Sequence, residues 1–157
     1  MPDPQPQSQS EPLRTPLPPA PAPQGSYIPA VAHGGVAMSA GMTPRVDGQL
    51  AVRGIVGRDL DLPDARSAAG IAARNALSAV AEAAGGLSRI RRCLRLSVFI
   101  ACADGFEDLS AVADGATAAI AEQVGPETLP VRSAIGVRAL PSGAPVEVEL
   151  TVAIAEQ

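Results

Sequence analysis

The chain has 157 residues and a formal net charge of −4. That is long enough for one domain with a buried core, and it gives no positive field to attract nucleic-acid phosphates. There is no lysine, one histidine (His33) and three aromatic residues (Tyr27, Phe99 and Phe106), which excludes Schiff-base, pyridoxal and P-loop lysines and a histidine-rich metal site, and disfavours base stacking.

Residues 1–24 contain nine of the 16 prolines and no apolar periodicity. They predict a disordered or polyproline II tail ahead of a single domain over residues 25–157. The tail lacks the basic start and apolar run of a secretion signal, and no later stretch approaches transmembrane length without charge or glycine, so no membrane partner is expected. Tyr27 to Val31, a His33-Gly34-Gly35 turn and Val36 to Ser39 read as a hairpin. Asp47-Gly48 is a second turn, and residues 50–56 read as a short strand.

Asp61-Leu62-Pro63-Asp64 has the chemistry of a helix start, with acids in the first turn and proline near its first position. Ala69, Ala72, Ala73, Ala76, Leu77, Val80 and Ala84 follow at helical spacing, and Gly85-Gly86 closes the helix. Residues 89–102 predict a central strand. Strict alternation puts Leu94, Leu96, Val98 and Ile100 on the core face, with Arg91, Cys93, Arg95, Ser97 and Phe99 on the other. Cys93 and Cys102 then point to opposite faces, about 30 Å apart along the strand, beyond disulfide reach. Both read as reduced cysteines of a cytoplasmic protein. Asp108 to Val124 is a second amphipathic helix, closed by Gly125-Pro126.

Residues 131–139 and 146–154 flank a turn-rich stretch and read as a hairpin. In the second run Val146, Val148, Leu150, Val152 and Ile154 share one face, with Glu147, Glu149, Thr151 and Ala153 on the other. The order is β-β-β-α-β-α-β-β, which disfavours a doubly wound fold. Arg91, Arg95, Glu147 and Glu149 on one sheet face suit contact with neighbouring subunits or, equally, a wet open face.

The C-terminal pattern Pro130-x-Arg132-Ser133, Leu140-Pro141, then Glu147-x-Glu149 between aliphatics resembles the signature of the RidA (YjgF) family, without a gap, over roughly residues 26–155. The resemblance implies an α+β, chorismate-mutase-like domain, a sheet with two helices packed on one face, assembled as a homotrimer with ligand clefts between subunits. It implies hydrolysis of reactive enamines or imines, such as 2-imino acids, to keto acids and ammonia, without metal or organic cofactor. The expected ligand is a small carboxylate-bearing imine, enamine or keto acid.

Carried over position by position, Arg132 would clamp the ligand carboxylate, Glu147 would activate a water, Tyr27 would wall the cleft and the Gly41 N–H would meet the carboxylate. Ser133, Phe99 and Gly115 complete the expected contact set. Ala40 and Met42 stand where the family has Ser and Gln, and Gly115 where the well-studied deaminases have Asn. These replacements thin the polar rim, as in a mostly uncharacterised branch of the family, and keep a second function open: a non-catalytic ligand sensor or a pathway-specific enzyme. By residue type alone, a structural Arg132–Glu147 ion pair across an interface is the stronger reading, since most Arg/Glu pairs are structural. Some family members have been called ribonucleases; the acidic, aromatic-poor composition gives that no support.

Overall fold

A computed structural model describes residues 14–156. In chain order the elements are β1 (Ala30–His33), β2 (Val36–Ser39), β3 (Arg45–Val46), β4 (Gln49–Leu50), α1 (Leu62–Ala84), β5 (Ile90–Ala101), α2 (Leu109–Val124), β6 (Val131–Val137) and β7 (Val146–Ile154). The main sheet runs β1-β2-β7-β5-β6, antiparallel except for the parallel β5–β6 pair. Both helices lie on one side of it, an α+β arrangement.

Helix α1 begins where expected. The Asp61 carboxylate accepts the Asp64 N–H at 2.9 Å, Pro63 sits in the first turn, and Gly85 ends the helix at φ 92°, a conformation glycine adopts without steric cost. Its inner surface is almost all alanine, fully buried against the sheet, so the backbone lies close on the strands. Helix α2 crosses α1 at Gly115, where any Cβ would collide with the Arg66 carbonyl. At the β1–β2 turn, Gly34 and Gly35 both have positive φ, the requirement of a two-residue hairpin loop.

Three expectations are corrected. The first concerns β6 and β7, which do not pair with each other: β5 lies between them. The β5-α2-β6 crossover returns the chain parallel to β5. The connection after β6 then passes over the end of β5, where Ala101 N–H donates to the Pro145 carbonyl at 2.9 Å, and delivers β7 to the other side. Turn chemistry marks a reversal of direction but not which strand is the partner. Second, residues 50–56 form no continuous strand. Gln49–Leu50 pairs only with Arg45–Val46, and Val56 makes isolated bridges to Leu60 and Cys102.

Third, β5 does not alternate strictly. Irregularities between Ile90 and Arg92 and between Cys93 and Arg95 reset its parity, as a bulge does. Cys93 is therefore buried and Leu94 is 37% exposed. Arg92, opposite Ala153, takes the face expected for Arg91, which lies instead beside Leu87, Gln123 and Val124 on the helix side. Cys93 and the half-buried Cys102 both pack on the one core, and both are free. Burial pushes the Cys93 thiol up to about 11, which leaves it protonated and unreactive at neutral pH.

Of the expected tail, residues 1–13 lie outside the described residues. Residues 14–24 are not loose: they run along the helices. Arg14 donates to the Gln123 carbonyl at 2.9 Å, the Thr15 N–H to Glu122 at 3.0 Å and the Ser78 hydroxyl to the Pro18 carbonyl at 2.8 Å. The buried Gln123 amide donates to the Thr15 carbonyl, and Leu17 packs on the core. Low apolar content left the strap invisible to a periodicity argument, because its partners are polar groups on the helices. Deleting residues 1–24 should lower stability by about 1–3 kcal/mol, the worth of a few net hydrogen bonds and one apolar contact. Chemical denaturation of full-length and shortened chains measures it directly.

Candidate functional site

The sheet face away from the helices is open. The register places Phe99 opposite Glu147, Ser97 opposite both Glu149 and Ser133, and Arg95 opposite Thr151 and Val131. Arg95 donates to the Ser133 hydroxyl at 2.6 Å. Around these groups stand apolar side chains with no cover: Val31 is 48% exposed, Met38 51%, Val131 66% and Ile135 44%. Among the described residues the ion pairs are Arg58–Asp59, Arg74–Glu122 and Arg132–Asp114, so Arg95, Glu147 and Glu149 have no charge partner among them.

Glu147 is the most perturbed of the expected site residues. Its neighbour strand is the segment around Gly41: Met42 and Val148 exchange backbone hydrogen bonds at 2.8 Å in both directions. Gly41 consequently lies directly over the carboxylate, and a Cβ there would strike Glu147 Oε1. The backbone thus approaches the acid as closely as only glycine allows. Desolvation, with a smaller contribution from the Glu149 charge, pushes the Glu147 carboxyl above its ordinary range. Among the described residues no partner holds the ionised form, so the carboxylate is a stronger base than an exposed one.

Arg132 lies elsewhere. It is opposite Leu96 on the helix side of β6, whereas Glu147 faces the open side of β7. Its guanidinium is engaged by α2: one terminal nitrogen donates to Asp114 Oδ1 and Thr117 Oγ1, both at 2.8 Å, and the other to Ser110 Oγ at 2.8 Å. These three residues were missed by the sequence reading. Their signal was available, since Ser110, Asp114 and Thr117 recur at i, i+4 and i+7 in a helix whose other residues up to Ala121 are all apolar or glycine.

Tyr27 precedes β1 at the far edge of the sheet, 46% exposed, its hydroxyl accepting the Gln24 N–H at 2.9 Å. β2, β7 and β5 separate β1 from β6, so their edges are about 19 Å apart at ordinary strand spacing. One protomer therefore brings Gly41, Phe99 and Glu147 together, with Ser133 on the same face, and holds Arg132 on the other face; Tyr27 lies two residues before Pro29, whose carbonyl accepts the Ala40 N–H at 2.7 Å, so it belongs to the Gly41 end of the sheet and not to the Arg132 edge. Arg132 and Glu147 do not form an ion pair within the chain. Gly115 is a helix-crossing glycine: an Asn there would have to open the α1–α2 contact, so its loss of a polar group is first a matter of packing. Among the described residues no cluster of three metal-ligating side chains occurs, and no helix is long and apolar enough to cross a membrane.

Comparison with known proteins gives one family. The profile described as Endoribonuclease L-PSP matches residues 18–154. TCP17 of Trypanosoma cruzi is 34% identical over 137 residues, 87% of this chain and 86% of that protein. The crystal structure of Atu1372 from Agrobacterium tumefaciens, a protein of unknown function, superposes with a TM-score of 0.81 at 36% identity, covering 85% of this chain and 86% of that one. RidA from an Antarctic Psychrobacter gives a TM-score of 0.59 at 27% identity, over 86% and 94% of the two chains. The fold is also that of E. coli TdcF, solved with bound serine, with a TM-score of 0.65 at 20% identity over 92% and 100% of the chains.

Proposed function

The chain belongs to the endoribonuclease L-PSP family, also called RidA or YjgF, whose members are enamine and imine deaminases, and from that membership we propose that it hydrolyses small carboxylate-bearing imines and enamines to keto acids and ammonia. The observation that carries the reading is Glu147: a half-buried carboxylate of raised basicity, unpaired, beneath Gly41 on an open sheet face. An imine carbon is already electrophilic, so the reaction asks for an anchored substrate and an activated water. Glu147 takes a proton from water as its oxygen bonds to the C=N carbon. That proton passes to nitrogen to give a carbinolamine, and the carbinolamine hydroxyl then gives up its own proton through Glu147 to the departing nitrogen as the C–N bond breaks, so ammonia leaves and the carbonyl forms.

The substrate carboxylate needs a cation, and Arg132 is on the wrong face of its own protomer. We propose a homotrimer in which Arg132 of one subunit meets Gly41, Phe99 and Glu147 of the next. The uncovered Val31, Met38, Val131 and Ile135, and the unpaired Arg95 and Glu149, support such an interface, because exposed apolar side chains among unpaired charges are the usual features of a subunit contact. Sedimentation equilibrium at micromolar concentration should give three times the chain mass. Ile135→Asp, which buries a carboxylate at that contact, should give monomer and abolish activity together.

An RNA-cleaving reading has little support, since the chain is acidic and offers few aromatic side chains for bases. Ligand binding without turnover is favoured by one observation, the engagement of Arg132 by Asp114. The deciding assay generates 2-iminopropionate in situ with an amino-acid oxidase and follows imine decay. Faster decay with protein supports the deaminase; an inert trimer that still binds pyruvate supports the sensor.

A further inference from the structure

A cavity of about 460 Å³ lies between the strap, helix α1 and the β3–β4 hairpin, within the size range of small-molecule sites. It shares no residue with Gly41, Phe99, Arg132 or Glu147. We infer that it is a second binding site, which takes an amphipathic monocarboxylate: an apolar chain along the strap and α1, with the carboxylate at Arg45. Strap residues 18–22 form one side, residues 45–48 of the hairpin another, and α1 contributes Ile71, Arg74 and Asn75. The strap side is proline and alanine throughout. Proline has no N–H, so this side offers an anion little and an apolar chain much. The walls are fastened separately to α1. Ser78 donates to the Pro18 carbonyl at 2.8 Å, and the buried Asn75 amide donates to the Thr43 and Arg45 carbonyls at 3.1 and 2.9 Å. Strap and hairpin are thus held to one helix with the space between them left open.

Arg45 gives that space its polarity. Its guanidinium donates to the Gly48 carbonyl at 2.9 Å and to the Ser142 hydroxyl at 3.2 Å. Gly48 lines the cavity, which brings the cation to its wall. Both acceptors are neutral. Among the described residues Arg45 Nε is buried without a hydrogen-bond partner, and no carboxylate pairs with Arg45. A cation partly withdrawn from water and held only by neutral groups attracts an anion strongly at short range. Arg74 differs, because Glu122 already pairs with it at 3.4 Å, and this leaves Arg45 as the anchor. Among the described lining residues the one carboxylate is Asp47, exposed in the hairpin turn at φ 51°. Its like charge sets the site against a second anionic group on the ligand.

The test titrates the full-length protein calorimetrically with octanoate, octan-1-ol and octylammonium, which share a chain and differ in head group. Octanoate should bind at least about tenfold more tightly than octan-1-ol, the worth of a hydrogen bond to a charged group, and octylammonium most weakly. Arg45→Gln should bring octanoate down to the affinity of octan-1-ol. Asp47→Asn suits the left-handed turn position, so the fold is kept. It should tighten octanoate about two- to fivefold, the scale of an exposed charge interaction, and leave octan-1-ol unmoved. Val46→Trp, at a position 52% exposed, fills the cavity and should abolish binding of both. Three results overturn the inference: equal or absent binding of octanoate and octan-1-ol by wild type, octanoate binding that Arg45→Gln and Asp47→Asn both leave unmoved, or octanoate binding that persists in Val46→Trp. Imine hydrolysis is read separately, because the two sites have no residue in common.

Discussion

Arg132→Ala should lower kcat/KM for 2-iminopropionate hydrolysis by tens- to about a thousand-fold, the rate equivalent of losing a charge-assisted pair worth about 2–4 kcal/mol. The structure adds a complication that shapes the experiment. Arg132 also ties β6 to Ser110, Asp114 and Thr117 of α2, so its removal loosens the edge strand as well as the anchor. The two effects separate through Arg132→Lys. A lysine retains charge and one direction of hydrogen bonding but cannot present two parallel donors. If the guanidinium edge is what holds the carboxylate, Lys should recover the thermal stability better than the activity. Equal recovery of both would mean that Arg132 serves the fold alone.

Glu147→Gln should leave binding nearly unchanged and slow turnover by about 10²–10⁴, the usual worth of a general base. It should also change two pH dependences in opposite senses. Activity requires the ionised carboxylate, and burial has raised its proton affinity, so the acid limb of the wild-type rate profile should lie above the ordinary carboxylate range and vanish in the variant. For stability the sign runs the other way. A carboxyl whose folded pKa exceeds its unfolded value contributes stability that is complete below the unfolded pKa and lost as pH rises through the folded one. Glutamine has nothing to lose, so Glu147→Gln should be more stable than wild type at neutral pH and show a flatter pH–stability curve. A variant that is slower and firmer marks a group retained for chemistry.

Much of this architecture is written locally. Asp61, Pro63 and Gly85 bound α1, Gly125 closes α2, and Gly34-Gly35 turns the first hairpin, because caps and turns depend on a few neighbouring residues. The pairing of β6 and β7 with β5 was not legible in this way. It follows from α2 carrying the chain across the sheet, a non-local event with no signature between residues 137 and 146. The parity of β5 was lost to two irregularities that no residue between Ile90 and Arg95 announces. The candidate site was legible as residues and illegible as geometry: Arg132 and Glu147 stand in register in the sequence, yet on opposite faces of the folded sheet. The strap at residues 14–24 was hidden for a related reason, since its partners, Ser78, Glu122 and Gln123, lie far along the chain.

The place of β7 has a bearing on how the protein acquires its structure. It is the middle strand of the main sheet and the last in chain order. Until it arrives, β1–β2 on one side and β5–β6 on the other each present an unsatisfied edge, and the alanine surface of α1 has only part of its floor. Closing the sheet therefore requires the C-terminal strand to pair on both sides with segments far away in sequence, which makes folding dependent on contacts of long sequence separation and slow for a domain this small. Two open edges waiting for the same strand are also two places where another chain's β7 could dock. Domain swapping through that strand is the characteristic error to expect when the protein is refolded at high concentration.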